Sequence, residues 1–414
     1  MKQLTGIAIG AGARGLRAYA PYATKFPDEL KFVGVAEPHE GRRNAFKETF
    51  GVSEDMCFES WEQILAKGKV ADVAFICTMD TMHYEPTMLA LELGYDILLE
   101  KPISPNMQEC MDIARSAEEK GRKVIVCHVL RYTPFFAKIK ELIMNGAIGD
   151  LVTIQHNENI GWYHFSHSFV RGNWRNAAES SPMILQKCCH DMDIMYWLAG
   201  EKVTKLSSFG NLMFFNEKNK PEGAPTHCMD GCPVQDTCDY YAPKLYKEGG
   251  RARSFSPVVS LDNSEEPLME ALRKGQYGRC VFQCDNDVTD HQVVNLEFES
   301  GATAVFTACA FTNNFDRTIK ILGTTGEIRA NMGLNLIKLI DFKANSETVV
   351  EMDIEATKSG HGGGDMGIVK DFVEYVRSGK RTISLTDISE AVYSHKMSHA
   401  CEKSRFDNVI VPID

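Results

Sequence analysis

The sequence predicts an α/β fold followed by an α+β fold. A doubly wound parallel sheet comes first, and a domain with a large open, mainly antiparallel sheet and helices on one face follows. Residues 1–130 alternate short apolar segments with helical ones, which is typical of a parallel sheet with right-handed crossovers. From Asp290 to Val350, strand-like segments follow one another across glycine-containing turns, which indicates antiparallel hairpins. We therefore predict domains at 1–130 and 131–414, with a polar, cysteine-bearing insertion at about 216–284.

The first apolar strand runs directly into a Gly-x-Gly-x-x-Gly motif. Gly10 permits a tight turn, Gly12 leaves room for a pyrophosphate, and Gly15 lets the next helix pack closely on the sheet. The start of that helix, at Ala13 and Arg14, offers backbone N–H groups to phosphate. The motif therefore predicts a dinucleotide-binding Rossmann domain.

The second apolar strand ends at Glu37, 22 positions after Gly15, where the acid that binds ribose is expected. A carboxylate accepts hydrogen bonds from a 2′-hydroxyl and repels a 2′-phosphate, so the sequence favours NAD over NADP. Arg42 and Arg43 follow closely. Their guanidinium groups could contact adenine or a phosphate, or simply belong to the solvated start of a helix.

The remaining elements follow from hydrophobic periodicity and from glycine or proline boundaries. In the first domain we predict strands at 70–78, 95–99 and 123–127 and helices at 40–50, 61–67, 83–93 and 107–120. In the second domain we predict strands at 151–160, 292–299, 302–312, 317–322, 334–342 and 347–352 and helices at 135–144, 184–198, 365–378 and 386–404.

Candidate binding residues lie at the carboxyl ends of the predicted parallel strands, where ligands bind in open α/β sheets. Thr78 and His83 follow one strand, and Glu100 and Lys101 follow the next. The Lys101 ammonium could donate to a substrate hydroxyl and to the nicotinamide ribose, and it would stabilise a developing alkoxide. It could equally be an ordinary exposed lysine after a strand.

Several short motifs occur in a distinctive order: GAGARG at 10–15, EKP at 100–102, LRYTP at 130–134, KCCHDMD at 187–193 and WLxG at 197–200. In these motifs the chain resembles the Gfo/Idh/MocA oxidoreductase family over most of its length. The resemblance implies a Rossmann domain that carries Glu-Lys-Pro, and a second domain whose open sheet commonly packs face to face in dimers or tetramers. It also implies a catalytic histidine at His190. Arg131 lies just beyond the sixth predicted strand, at the same edge of the sheet, and could position nicotinamide or substrate.

Oxidation of a secondary alcohol removes a hydride from carbon and a proton from oxygen, and an imidazole such as His190 suits the second task. Many members of the family carry an aspartate four residues before this histidine, but here Gln186 stands there and Lys187 follows. Lys187 could replace the acid electrostatically. Lys101 and Lys187 would lower each other's pKa and favour anionic substrates such as uronates. Asp191 could orient His190.

Three further residues are candidates for substrate binding. Trp162 opens an aromatic, histidine-rich loop, and Arg175 lies shortly after it. Aromatic faces beside cationic donors suit a sugar, although ordinary loop packing explains them equally well. His361 precedes a helix for which Asp365 is the expected N-cap, and it could reach the mouth of the site.

The insertion contains Cys228, Cys232 and Cys238. Three thiols this close could hold a structural zinc ion, with a fourth ligand from His227, Cys280 or Cys284. A second, less expected interpretation is that these cysteines ligate an iron–sulfur cluster. A third is that they are free thiols in a loop.

The net charge of −11 with no basic block argues against nucleic acid as a partner. With no leader sequence and no membrane-length apolar run, we expect a cytoplasmic protein without a membrane partner. The leading hypothesis is NAD-dependent hydride transfer to or from a sugar, an inositol or a sugar acid. The alternatives are a glycosidase or lyase that retains NAD and oxidises its sugar transiently, and a non-catalytic NAD(P)-binding sensor.

Overall fold

The computed structural model describes residues 2–358 and 360–413. They form two sheets. The first is parallel and six-stranded, with the order β3-β2-β1-β4-β5-β6. Its strands are β1 Leu4–Ile9, β2 Leu30–Ala36, β3 Cys57–Phe58, β4 Val73–Ile76, β5 Asp96–Leu99 and β6 Val124–Val126. The chain order reverses beside β1, so the glycine motif that follows β1 lies at the switch point where open α/β sheets bind ligands.

The second sheet has nine strands in the order β14-β13-β12-β11-β7-β10-β9-β8-β15. Its members are β7 Leu151–Asn159, β8 Val203–Asn211, β9 His291–Phe298, β10 Thr303–Cys309, β11 Asp316–Gly323, β12 Gly326–Asn331, β13 Leu336–Asp341, β14 Ser346–Val349 and β15 Val411–Pro412. The β7–β10 pair is parallel and the other neighbours are antiparallel. The predicted fold class is confirmed.

The principal helices are α1 Glu40–Phe50, α2 Trp61–Leu65, α3 Tyr84–Glu92, α4 Met107–Glu119, α5 Pro134–Met144, α6 Met183–Gln186, α7 Cys189–Ala199, α8 Glu265–Lys274, α9 Gly364–Ser378 and α10 Ile388–Asp407. The single helix predicted at 184–198 is wrong, because the structure divides it into α6 and α7. Strand β8 was not predicted. Its alternation of apolar and polar residues is weak, because several polar side chains interrupt the apolar positions.

The last two helices join the two sheets. Helix α9 packs on one face of the parallel sheet, where Phe372 meets Phe75 with ring centroids 5.8 Å apart. Helix α10 contributes Ile388 to the core on the other face of that sheet and Met397 to the core of the nine-stranded sheet. The carboxyl edge of the parallel sheet is thereby held against α6 and α7.

Within the described residues, no helix is long and apolar enough to cross a membrane.

Candidate active site

The glycine motif has the geometry that a bound dinucleotide requires. Gly10 has a φ of +91°, and a side chain there would meet the Cys77 carbonyl. A side chain at Gly15 would strike the Gly10 carbonyl, so that position must stay small for the helix to approach the sheet. At Gly12, by contrast, an added Cβ would meet nothing within 4 Å. The space above Gly12 is therefore open for a pyrophosphate.

Glu37 lies beside this motif at the end of β2. Its side chain is almost fully buried and accepts a hydrogen bond of 2.8 Å from the Ala11 N–H. Its other carboxylate oxygen accepts from Arg42 at 2.7 Å. Arg42 therefore contacts the acid itself, while the backbone next to Gly10 fixes the carboxylate where a ribose would lie.

Arg14 belongs to an ion-pair network that connects the motif to the start of α9. Its guanidinium lies 2.6 Å from Glu100 and 2.7 Å from Asp365, and Asp365 also pairs with the His361 ring at 3.0 Å. The expected N-cap role of Asp365 is wrong. Helix α9 begins at Gly364, so Asp365 lies inside the helix, and no side chain caps its N-terminus. The network places His361 at the mouth of the site.

His83 connects the ends of β4 and β5. Its ring lies 2.7 Å from the Pro102 carbonyl and 3.1 Å from the Thr78 carbonyl. The ring is buried and fixes the path of the chain next to Lys101, while the Thr78 hydroxyl donates to Met82. Asp80, which the sequence did not single out, receives hydrogen bonds from Trp174 and Ser181 across the domain boundary.

Lys101 reaches from the parallel sheet to the second domain. Its ammonium donates to the Gln186 carbonyl at 2.6 Å. That carbonyl is available because the helix is interrupted between Gln186 and Cys189. The interruption thus allows a contact between the residue after β5 and the helix that carries His190.

His190 lies in the first turn of α7 and is 5% exposed. Its ring centroid is 5.7 Å from that of His128 and 6.3 Å from that of His361. Its Nδ1 is buried without a hydrogen-bond partner among the described residues. Burial, and then the charge of Lys101, hold the pKa of His190 well below its usual range. The imidazole is therefore neutral at pH 7, so one of its two ring nitrogens carries no proton and is a hydrogen-bond acceptor.

Lys187 lies in a buried charged cluster that the sequence did not reveal. Its ammonium is 3.4 Å from Glu158 and 4.3 Å from the centre of the Phe315 ring. Burial lowers the pKa of Lys187; Glu158 opposes this, whereas Arg317 and Lys101 add to it. Arg317 in turn lies 2.5 Å from Glu158.

Asp191 belongs to the same cluster. It accepts from Arg317 at 2.7 Å and contacts the His156 ring at 2.8 Å, and no described hydrogen bond links it to His190. The predicted orienting contact with His190 is therefore wrong. Strand periodicity could have located part of the cluster, since Ile154, His156 and Glu158 alternate along β7 and are all buried.

Arg131 and Asp193 form a second buried pair. The guanidinium makes two hydrogen bonds to the carboxylate, of 2.8 and 2.6 Å, and both side chains are 1% exposed. Glu390 on α10 adds a third contact at 3.0 Å. Arg131 therefore connects the turn at Val129–Tyr132 to α7 and α10. These bonds engage its guanidinium within the protein and give no support to the predicted contact with the cofactor.

Trp162 and Arg175 both adjoin the insertion. Trp162 packs edge-to-face on Tyr240 with ring centroids 5.5 Å apart. Arg175 makes two bonds of 2.9 Å to Asp285 and pairs with Glu179. These contacts account for both side chains without a substrate.

Cys228, Cys232 and Cys238 line one cavity, together with Cys280. In the described part of the chain, no three or more His, Cys, Asp or Glu side chains are arranged to hold a metal ion. Cys284 does not line the cavity; its thiol lies 3.3 Å from the Cys280 carbonyl.

The fold and the glycine motif define a dinucleotide-binding protein. The sequence matches the description "Oxidoreductase family, NAD-binding Rossmann fold" over residues 6–128 and "Oxidoreductase family, C-terminal alpha/beta domain" over residues 140–413. The chain belongs to the Gfo/Idh/MocA oxidoreductase family.

Relatives span a range of chemistries. The Bacillus subtilis protein YteT is 24% identical over 354 residues, which cover 82% of this chain and 77% of YteT. The 2,7-anhydro-N-acetylneuraminate hydratase of Escherichia coli is 25% identical over 175 residues, which cover 42% of this chain and 44% of the hydratase. An oxidoreductase from Agrobacterium radiobacter, solved with NAD+, L-tartaric acid and magnesium, superposes with a TM-score of 0.71 at 14% identity, covering 99% of this chain and 98% of its own. At 14% identity, the similarity to the Agrobacterium protein shows a shared fold and nothing further.

Proposed function

We propose that this enzyme transfers a hydride between NAD and a secondary alcohol of a sugar acid or a similar anionic sugar-like substrate. The observation that carries the proposal is the convergence of Lys101, Lys187 and His190, whose buried Nδ1 has no hydrogen-bond partner among the described residues. Two ammonium groups beside a neutral base provide positive charge for a carboxylate and an acceptor for a hydroxyl proton.

The cofactor contacts would come from the open backbone at Gly12, the phosphate-facing turn at Ala13 and the Glu37 carboxylate. Because that carboxylate would repel a 2′-phosphate, NAD is proposed rather than NADP. When bound, NAD supplies the hydride acceptor.

The chain's own residues would carry the rest of the reaction. His190 accepts the proton from the substrate hydroxyl, so that the alcohol becomes a carbonyl as its C–H hydride leaves. Lys101 donates to the same oxygen and stabilises its negative charge in the transition state. Lys187 is the proposed contact for the substrate carboxylate, and His361 at the mouth is a proposed further donor.

The test is steady-state kinetics of the full-length protein with NAD+ and matched pairs of substrates, each a sugar acid and the corresponding neutral sugar. We expect turnover of acids in preference to neutral sugars. Lys187→Met should raise KM for the acid roughly 10- to 100-fold, the loss of one charge-assisted bond of about 1.5–3 kcal/mol. Lys101→Met should lower kcat instead.

Lys320→Met is the matched control, because Lys320 pairs with Glu327 on the nine-stranded sheet at 3.2 Å. It should leave both constants unchanged. If the Lys187→Met enzyme prefers acids over neutral sugars as strongly as the unsubstituted enzyme does, Lys187 is not the contact for the substrate carboxylate.

A second candidate function is supported by the hydratase relative. In a glycosidase, lyase or hydratase that keeps its NAD, the same groups would oxidise the sugar transiently, eliminate a substituent from the neighbouring position and reduce the product again. Turnover without added NAD, and without net NADH, would favour this second function over the first.

A further inference from the structure

The two ring nitrogens of His190 have different surroundings. Its Nδ1 is buried without a hydrogen-bond partner among the described residues. Its Nε2 also makes no hydrogen bond to the described residues, but it keeps contact with solvent. A neutral imidazole carries one proton, and only the nitrogen without it can act as a base. The group next to the buried Nδ1 therefore decides which nitrogen of His190 is the base.

The ring of His128, which follows β6, lies next to His190. The two ring centroids are 5.7 Å apart and the ring planes meet at 76°. A direct N–H···N bond places the centroids of two imidazoles roughly 5 Å apart, so the observed separation is only slightly longer. Hydrogen bonds to a catalytic base are often long until substrate binds. His128 is fully buried, and its Nδ1 also lacks a partner in the described part of the chain.

Helix α10 determines which nitrogen of His128 carries a proton. The Ser394 hydroxyl on that helix donates to the Ala391 carbonyl at 2.8 Å, and a serine has a single proton to donate. The Ser394 oxygen lies 3.3 Å from His128 Nε2 and is left as an acceptor, so Nε2 carries the ring proton. Burial lowers the pKa of His128 to about 3. The ring is therefore neutral, and its Nδ1 is an acceptor.

The packing around His128 indicates which group its Nδ1 accepts from. Its ring neighbours among the described residues are His190 and, also at 5.7 Å, His395. Both nitrogens of His395 are occupied, since Nδ1 donates to a backbone carbonyl of α10 at 2.8 Å and Nε2 accepts from the Ile103 N–H at 2.9 Å. The nitrogens of an imidazole point in diverging directions, so Nδ1 of His128 points away from Ser394. His190 is the neighbouring ring with an unpartnered buried nitrogen.

We propose that His128 is a positioning residue whose Nδ1 accepts the Nδ1–H of His190 and so leaves Nε2 of His190 as the base. The proton from the substrate hydroxyl then forms a new N–H bond at Nε2 as the C–H hydride leaves. The resulting imidazolium is bonded to His128 on one side and to the substrate oxygen on the other. The position of the ring proton is argued from geometry alone, whereas its effect on turnover rests on the proposed function.

The test is nitrogen-15 magic-angle-spinning NMR of the full-length protein, labelled on histidine and measured without substrate. The His190 signals are those that disappear in His190→Asn, and we expect the ring proton of His190 on Nδ1. In His128→Leu an Nδ1–H would be buried without an acceptor, so the proton should move to Nε2, where it can bond to water. His128→Asn is the conservative variant. Its side-chain oxygen can take the place of the imidazole Nδ1, so it should keep the proton of His190 on Nδ1.

His395 is the internal reference in these spectra, because the Ile103 N–H donates to its Nε2 and so requires a proton on its Nδ1 in every variant. Titration of NAD+ shows that the Rossmann domain of each variant is folded. In steady-state assays with NAD+ and a sugar acid, His128→Leu should lower kcat roughly 10- to 100-fold and leave KM for NAD+ unchanged. His128→Asn should restore most of kcat, which a merely structural role for the imidazole would not predict.

A proton on Nε2 of His190 in the unsubstituted protein would overturn the proposal. So would a folded His128→Leu protein in which His190 keeps its proton on Nδ1. Because the spectra are recorded without substrate, they decide this inference independently of turnover. A protein that oxidises no sugar acid would refute the proposed hydride transfer, and the spectra would still confirm or refute the role of His128.

Discussion

The substitution Arg131→Met distinguishes two roles for Arg131. The sequence predicts that this residue contacts the cofactor, whereas the structure shows it in a buried ion pair. In the structure, Arg131 is fixed by two hydrogen bonds of 2.8 and 2.6 Å to Asp193 and by a contact of 3.0 Å to Glu390. The substitution removes the guanidinium and leaves Asp193, which is 1% exposed, as an unpaired buried carboxylate. We therefore expect a large loss of stability and no direct effect on cofactor binding.

The size of the loss follows from this geometry. Breaking a buried ion pair by removing one partner costs about 3–5 kcal/mol, because the remaining charge is uncompensated. Replacing both partners by apolar side chains is often neutral. The double variant Arg131→Met/Asp193→Leu should therefore recover most of the stability that the single variant loses, with a coupling energy of about 2–4 kcal/mol between the two sites.

The assay is unfolding in urea followed by tryptophan fluorescence, together with titration of NAD+ on each folded variant. The double variant should bind NAD+ within about twofold of the unsubstituted protein. Two results would refute a purely structural role for Arg131. One is a loss of less than about 1 kcal/mol in the free energy of unfolding of Arg131→Met. The other is NAD+ binding by the stable double variant that is more than tenfold weaker, which would support a contact with the cofactor.

Three further predictions concern the nucleotide site and one buried histidine. Glu37→Ala removes the acceptor for the Ala11 N–H and for ribose, so a titration should show roughly 10- to 100-fold weaker NAD+ binding, equivalent to about 1.5–3 kcal/mol; unchanged affinity would contradict this. Gly12→Ala should keep the melting temperature and weaken NAD+ binding, because the added Cβ meets no protein atom within 4 Å and occupies only the pyrophosphate space. Burial holds the pKa of His128 at about 3 against an ordinary 6.5, so the unfolded chain binds the proton first. Stability should therefore fall from pH 6.5 towards pH 3 by up to about 1.4 kcal/mol per unit, and His128→Gln should make the measured fall shallower.

The parallel domain was predictable because its signals are local. The turn at Gly10, the open approach at Gly12 and the acid at Glu37 each follow from short-range rules, and the structure places them side by side. The same holds for the helices α1 and α4, whose bounds differ from the prediction by one residue at most.

The partners of charged residues were not predictable, since they depend on contacts between distant segments. Arg14 meets Asp365, 351 positions away, and Asp191 meets Arg317, 126 positions away. The break between α6 and α7 was also missed, because the apolar pattern continues through it. The backbone there is nevertheless what presents the Gln186 carbonyl to Lys101.

The central claim is hydride transfer at the site formed by Lys101, Lys187 and His190. The most direct test is a single-turnover experiment in which the protein, loaded with NAD+, is mixed with sugar acids while absorbance at the NADH band is recorded. The account predicts a rapid rise for at least one acid, a slower or absent rise for its neutral counterpart, and loss of the rise in His190→Asn that still binds NAD+. A rise of equal rate in the His190→Asn protein, or a preference for neutral sugars, would contradict it.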